Sequence, residues 1–299
     1  LNESLNENGV KAMEQVRQIR QVTVLGAGQM GSGIAQTLAQ YGYETALYDI
    51  TEAAVERGMY AIGSSLERFV KKGRLTKEQQ EAAMRLLTPV VTLEACRQSD
   101  FVIEAIPEQL ELKRKLFKEL DRLCPPHAIL ATNTSSLSVT AIAGVTKRPS
   151  QVIGMHFMNP VPVMALVEVI RGLATSAETL AATVALAESL GKTAVRVDDY
   201  PGFISNRILM PMINEAVYAV YEGVATPEAV DRIMKLGMNH PMGPLALADF
   251  IGLDTCLYIM ETLHEGFGDS KYRPCPLLRN YVSAGWLGKK TGKGFYNYD

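Results

Sequence analysis

Residues 21–33, QVTVLGAGQMGSG, limit what this chain can fold into more than any other stretch. Val22, Val24 and Leu25 read as a short buried strand, and Gly26, Gly28 and Gly31 follow in G-x-G-x-x-G spacing. From Met30 the pattern turns helical, with Ile34, Leu38 and Tyr41 on one face. Each glycine has a separate task. Gly26 permits the tight turn out of the strand, Gly28 lets backbone approach a pyrophosphate, and Gly31, helped by Gly33, lets the helix pack closely on the strand. The N–H groups at the helix start, around Gln29 and Met30, then face the phosphates with the positive end of the helix dipole. Taken alone, such a fingerprint fits any glycine-rich turn of an α/β domain. Here a strand precedes it, a helix follows, and a second strand over residues 45–48 ends in Asp49. That acid stands close to the offset of about 20 residues expected for a ribose-binding carboxylate. It favours NAD, because it would repel the 2′-phosphate of NADP; FAD stays open on the fingerprint alone.

The 299 residues suit two domains. With 47% apolar residues there is enough material for two cores, and a net charge of −2 argues against a nucleic-acid-binding protein. Cys96, Cys124, Cys256 and Cys275 form no C-x-x-C pair and read as reduced thiols rather than a disulfide frame or zinc site, so no metal is expected. No apolar run approaches the ~20 residues needed to span a membrane. The opening LNESLNEN lacks a signal-peptide pattern, which points to a cytoplasmic protein and leaves a processed organellar form open.

Residues 1–20 read as an N-terminal extension, with a short helix over 10–19 and no assigned function. Residues 54–70 and a Thr76-capped segment through Leu87 form a helical hairpin whose tip is Lys71, Lys72 and Arg74; on composition that tip reads first as a solvated turn. A strand is expected near Val90 and Val91 and a clearer one over FVIEAI, residues 101–106, with Glu104 and Glu108 near its end. An amphipathic helix over 110–123 and a strand over 128–131 follow, then Asn133-Thr134-Ser135-Ser136. In open α/β sheets ligands bind beyond the carboxyl ends of strands, which gives these polar residues a claim to function; helix capping by Ser135 or Ser136 is the simpler reading. His156 closes the apolar strand QVIGMH, and Glu168 is embedded in the apolar strand LVEVI. A carboxylate in such a run is rarely buried without a partner. If the two strands are neighbours, Glu168 holds one imidazole nitrogen and leaves the other to exchange protons. The alternative is an edge-strand acid facing water.

A helix over 179–190 and a strand over 193–197 complete this half, and Asp198-Asp199-Tyr200-Pro201-Gly202 marks the domain boundary. The expected domains are therefore a Rossmann-type, mostly parallel sheet with a helical-hairpin insertion over 21–199 and an all-α domain over 200–299. Helices are expected over 203–221, 227–236, 245–263 and 277–282. A second half this apolar has surface to bury against another copy of itself.

These blocks together resemble the L-3-hydroxyacyl-CoA dehydrogenase family, and within it the bacterial 3-hydroxybutyryl-CoA branch. The likeness is carried by VLGAGQMGSGIAQ, NTSSLSVT, GMHFMNPVPVMALVEVI, DYPGFISNRILMPMINEA, LGMNHPMGPLALADFIGLD and GWLGKKTGKGFYNY, in that order from about Gln21 to Asp299. The resemblance implies reversible hydride transfer between NAD and the 3-hydroxyl carbon of a short-chain acyl-CoA. It places the catalytic base at His156, its acidic partner at Glu168, and polar substrate contacts at Ser135 and Asn206. Imidazole, titrating near 6.5, suits taking a proton from a secondary alcohol and returning it in the reverse direction. The resemblance further implies cofactor contacts at Asp49, Glu108, Lys113, Ser135 and Asn159, coenzyme A contacts at Ser65 and Lys72, a substrate-side role for Asn239, and a homodimer or higher homo-oligomer built on the helical domain. Two alternatives remain: a related β-hydroxyacid dehydrogenase, whose Lys base has no counterpart in residues 202–207, and a non-catalytic NAD-binding protein of the crystallin kind, which retention of both His156 and Glu168 disfavours.

Overall fold

The computed structural model describes residues 19–298. The helix expected over 10–19 falls almost wholly outside them. Contacts divide the chain into two compact units, the first ending at Asp199 and the second beginning at Tyr200.

Among the described residues the first unit holds one eight-stranded sheet in the order β3-β2-β1-β4-β5-β6-β7-β8. Its strands are β1 Gln21–Leu25, β2 Glu44–Tyr48, β3 Leu87–Val90, β4 Phe101–Glu104, β5 Ile129–Thr132, β6 Val152–Phe157, β7 Leu166–Arg171 and β8 Thr193–Asp198. Strands β1 to β6 are mutually parallel; β7 runs antiparallel to β6, and β8 is parallel to β7. The order 3-2-1-4-5-6 of the first six is that of a dinucleotide-binding sheet, with its topological switch between β1 and β4. The central strands bury apolar residues on both faces, Val22, Val24, Phe101 and Ile103 on one and Leu25, Val102 and Leu130 on the other. That is what helices on both sides of a parallel sheet demand.

The hairpin inserted between β2 and β3 comprises α2 Glu52–Lys71 and α3 Lys77–Arg85, counting the fingerprint helix Gln29–Gln40 as α1. Thr76 and Gln79 form a reciprocal capping box at the start of α3. The expected helix through Leu87 is too long. Leu87 instead opens β3, pairs with Thr45 and is buried there, while Val91 lies beyond the strand. FVIEAI is likewise shorter than expected, because Ala105 and Ile106 leave the sheet where Gly26 packs against their backbone.

After α4 Leu110–Leu123, α5 Val139–Ala143 and α6 Ala177–Ser189 of the first unit, the second unit is helical, with α7 Ser205–Tyr221, α8 Pro227–Gly237, α9 Pro244–Ile251, α10 Leu253–Phe267 and α11 Pro276–Ser283. Its core includes Met210, Ile213, Leu245, Leu253, Met260 and Leu263. The single helix expected over 245–263 is two, broken at Gly252, whose φ of 105° no helix accommodates. Among the described residues no helix is long and apolar enough to cross a membrane.

Candidate active site at the strand ends

The glycine loop is built as its spacing requires. Gly26 has φ 102°, and a Cβ there would stand 2.5 Å from the Ala105 carbonyl oxygen. A Cβ on Gly31 would stand 1.7 Å from the Gly26 carbonyl oxygen, so the helix starts directly on the turn. Gly28 is different: nothing lies within 4 Å of the place a Cβ would take. It is the N-cap of α1 with no side-chain cap, so a negatively charged group has both open space and the helix's first N–H groups to approach. Gly33 packs against Val161 and Pro162 after β6 rather than against β1. Asp49, past the end of β2, accepts from the Ala27 N–H at 2.8 Å through Oδ2 and from the Ile50 N–H at 2.7 Å through Oδ1. The carboxylate thus braces the glycine loop from the position where an adenosine ribose is expected. These features fit a dinucleotide.

Strand register then gathers the remaining polar groups on one face. Glu104 pairs with Thr132, Thr132 with Gly154, and His156, two residues beyond Gly154, with Glu168. Alternation keeps side chains two residues apart on the same face. His156 and Glu168 are direct cross-strand partners, with Nδ1 2.8 Å from Oε2 and side-chain exposures of 11% and 3%. Strand β8 covers the far side of β7, so Glu168 is an interior residue and the edge-strand alternative falls. Gly154 makes room on this face: a Cβ there would stand 2.7 Å from Ile170 and 2.9 Å from Val139.

Beyond β5 the loop over 133–136 bends around one carboxylate. Glu108 Oε1 accepts from the Thr134 hydroxyl, from Ser135 N at 2.9 Å, and from Ser136 N and Oγ, each at 3.3 Å; Ser135 Oγ is 3.4 Å away. The capping expected of Ser135 or Ser136 is done by Ser138, whose Oγ accepts from Ala141 N at the start of α5 Val139–Ala143. Asn133 Oδ1 accepts from the Phe157 N–H at 2.9 Å and ties this loop to the strand carrying His156. Asn159 accepts through Oδ1 from Gln29 Nε2 at 3.1 Å, linking the segment after β6 to the glycine loop.

Lys113 lies at the start of α4 Leu110–Leu123 and is only 1% exposed. Its Nζ is 2.6 Å from Glu104 Oε1, 3.3 Å from Glu108 Oε2 and 3.3 Å from the Ile106 carbonyl. Burial pushes the Glu104 carboxyl up, against the opposing pull of Lys113 and of donors from Thr132 and Ile106. Burial also acts on Glu108, but there the Lys113 charge and the loop donors outweigh it, and the carboxyl lies below the usual range.

Ser65 is half-buried on α2, and Lys72 is the exposed residue that ends that helix. Seven residues apart, they fall on one helix face. Asn206 and Asn239 belong to the second unit. Asn206 is buried in the first turn of α7, its N–H on the Gly202 carbonyl at 3.1 Å. Asn239 is exposed, has a left-handed φ of 56°, and precedes α9, whose first N–H groups Asp231 caps.

A profile described as the 3-hydroxyacyl-CoA dehydrogenase NAD binding domain matches residues 21–200, and one for that enzyme's C-terminal domain matches 202–298. The chain belongs to the 3-hydroxyacyl-CoA dehydrogenase family. It is 64% identical to a probable 3-hydroxybutyryl-CoA dehydrogenase of Bacillus subtilis, over 94% of this chain and 98% of that protein. It is 42% identical to the human mitochondrial hydroxyacyl-coenzyme A dehydrogenase, over 94% and 91%. The crystal structure of (S)-3-hydroxybutyryl-CoA dehydrogenase from Ralstonia eutropha superposes with a TM-score of 0.92 at 51% identity, over 94% of this chain and 99% of that one. The family resemblance read from the sequence is therefore correct, as is its fold.

Two residues of the site escaped the reading of the sequence. Glu104 carries the same signal as Glu168, an acid inside an apolar strand. Asp199 accepts from Ser138 Oγ at 2.8 Å and from Thr140 N at 2.7 Å, anchoring the far end of the Ser135 loop. Nothing in its local sequence distinguishes it from its neighbour Asp198.

Proposed function

We propose that this chain catalyses the reversible NAD(H)-dependent interconversion of a short-chain (S)-3-hydroxyacyl-CoA, 3-hydroxybutyryl-CoA, and the matching 3-ketoacyl-CoA. The observation that carries this reading is the buried His156–Glu168 pair at the carboxyl end of the dinucleotide-binding sheet. Relatives 64% and 52% identical in sequence bear the name of this activity. The nicotinamide, when bound, supplies the acceptor or donor of hydride. Glu168 holds Nδ1 of His156, which fixes the ring and leaves Nε2 as the nitrogen that takes the proton of the substrate hydroxyl. As the ring becomes charged, the 2.8 Å contact with Glu168 becomes an ion pair and stabilises it. Ser135 and Asn206 donate to the substrate oxygens and hold the reacting carbon in place.

On this reading Asp49 takes the adenosine ribose hydroxyls, the backbone from Gly26 to Gly31 takes the pyrophosphate, and Glu108, Ser135 and Asn159 meet the nicotinamide half. Lys113, with three oxygens already around its ammonium, contributes charge from below rather than reaching out. Lys72 and Ser65 serve the coenzyme A moiety, whose phosphates the basic hairpin tip attracts, and Asn239 lies toward the substrate. The second unit exposes Ile208, Val224, Ile233, Leu236 and Phe250, each by more than half, which supports a homodimer formed through it. Steady-state kinetics with NADH and NADPH against acetoacetyl-CoA and longer 3-ketoacyl-CoAs test the assignment. Turnover with acetoacetyl-CoA and a preference for NADH are expected; no turnover with any 3-ketoacyl-CoA refutes it.

A further inference from the structure

Glu104 is 0% exposed, and both its oxygens are engaged: Oε1 by Lys113 Nζ at 2.6 Å and the Ile106 N–H at 2.8 Å, Oε2 by the Thr132 hydroxyl at 2.7 Å. Stability does not account for such a pair. Two charges taken out of water recover little more than their desolvation cost, and well-packed apolar residues of similar volume commonly do as well or better. The lysine is also placed against the helix dipole, at the amino-terminal end of α4, where a cation is disfavoured. Its position makes sense through the second carboxylate. Lys113 stands between Glu104, fully buried, and Glu108, whose side chain is 26% exposed and gathers Thr134, Ser135 and Ser136 on one oxygen.

We propose that Glu104 is a positioning residue of this active site: it fixes Lys113, Lys113 fixes Glu108, and Glu108 sets the loop that presents Ser135. The proposal rests on the reading of Ser135 as a substrate contact. Without the Glu104 charge, Lys113 has one carboxylate left to neutralise it. The ammonium is then drawn toward Glu108 Oε2, and the carboxylate turns with it. The shared acceptor Oε1 swings away from the loop, and Ser135 loses the partner that holds its backbone N–H. A displacement of about 1 Å in a group that orients substrate is enough to cost roughly 10²-fold in turnover.

The test separates position from stability. Glu104→Gln is expected to lower kcat for acetoacetyl-CoA by about 10²-fold, and to lower it little further in a Glu108→Gln background, because the effect runs through Glu108. Lys113→Met alone leaves a buried unpaired carboxylate and should lower Tm markedly. Glu104→Leu combined with Lys113→Met removes both charges, and Tm should return toward that of wild type while kcat stays depressed. A purely structural pair predicts that turnover recovers along with Tm, and that result overturns the proposal. Independent, multiplying losses for Glu104→Gln and Glu108→Gln overturn it as well, and this pair of variants decides the matter if the apolar double variant does not fold. An inactive wild-type protein would instead refute the functional reading itself.

Discussion

Replacing Glu168 by Gln changes one charge and almost no volume, at a contact where the structure constrains the outcome. The carboxylate is 3% exposed and 2.8 Å from Nδ1 of an imidazole that is itself 11% exposed, so solvent screens the pair little. Two magnitudes bracket the cost. If the amide oxygen simply takes over as acceptor, a charge-assisted hydrogen bond is exchanged for a neutral one, a loss of about 1 kcal/mol or roughly fivefold. If instead the full attraction of carboxylate for imidazolium is lost, the Coulomb energy of a pair about 4 Å between charge centres at an effective dielectric of ~20 is about 4 kcal/mol, or roughly 10³-fold. The amide can also rotate to donate to Nδ1, which leaves the proton on Nε2 and the ring unable to accept another; a supporting aspartate in the serine proteases shows how large that wrong tautomer can be. The expected loss in kcat therefore falls nearer the upper bound. His156→Asn removes the proton acceptor itself and should cost ~10²–10⁴-fold or more, with NADH binding nearly intact. The double variant should be little worse than His156→Asn alone, since Glu168 then has no ring to hold. NADH oxidation in the presence of acetoacetyl-CoA measures turnover, and NADH fluorescence titration measures binding. Losses that multiply in the double variant refute the dyad, and near-normal turnover by His156→Asn removes the base.

Asp49→Ala should weaken NADH binding and narrow its advantage over NADPH, since an acceptor and a charge hostile to the 2′-phosphate go together; an unchanged ratio of catalytic efficiencies for the two cofactors removes Asp49 from that role. The lowered pKa of Glu108 makes its ionised form a stabilising one, fully effective above the ordinary glutamate value of 4.5 and lost as pH falls through the lower folded value. The difference in urea midpoint between wild type and Glu108→Gln should therefore persist at neutral pH and close in acid, and a gap independent of pH contradicts it. Sedimentation equilibrium should find at least a dimer at micromolar concentration, and a monomer alone would exclude self-association through the helical unit.

What was legible in the sequence depended on how local its cause is. The glycine spacing sets a turn by sterics within a few residues, so the fingerprint, its strand and its helix could all be read. The N-cap at Thr76 is similarly local; its reciprocal partner Gln79 is seen only in the structure. The pairing of His156 with Glu168 is not, because it needs β7 to return antiparallel beside β6; the residues themselves hint at it only through the oddity of an acid in an apolar run, and the family resemblance supplies the rest. The start of β3 is not legible because Leu87 has the same apolar character in either element, and its burial beside Thr45 decides between them. The break at Gly252 was missed because one glycine inside a helical pattern costs only ~1 kcal/mol, which tertiary structure readily overrides. Ser138 does not stand out as the cap because Ser135 and Ser136 satisfy the same rule. Only the fold, by bringing Glu108 beneath the loop, shows which serines are already engaged.

The antiparallel return of β7 explains how a sheet otherwise made for binding a dinucleotide comes to hold a proton-transfer pair. Parallel neighbours in this sheet bring polar side chains together near their carboxyl ends, as Glu104 of β4 meets Thr132 of β5. Here Glu168 comes from within a strand, and its place is set by the same ladder that pairs Phe157 with Val167 and Met155 with Val169. A slip of one residue would turn Glu168 to the opposite face, exchanging it with an apolar neighbour, and the buried valines on that face forbid the slip. The flanking β8 keeps β7 off the sheet's edge. The geometry of the dyad is therefore protected by the hydrophobic pattern of two strands. The Ser135 loop has no ladder to hold it, and depends instead on Glu108 at one end and Asp199 at the other.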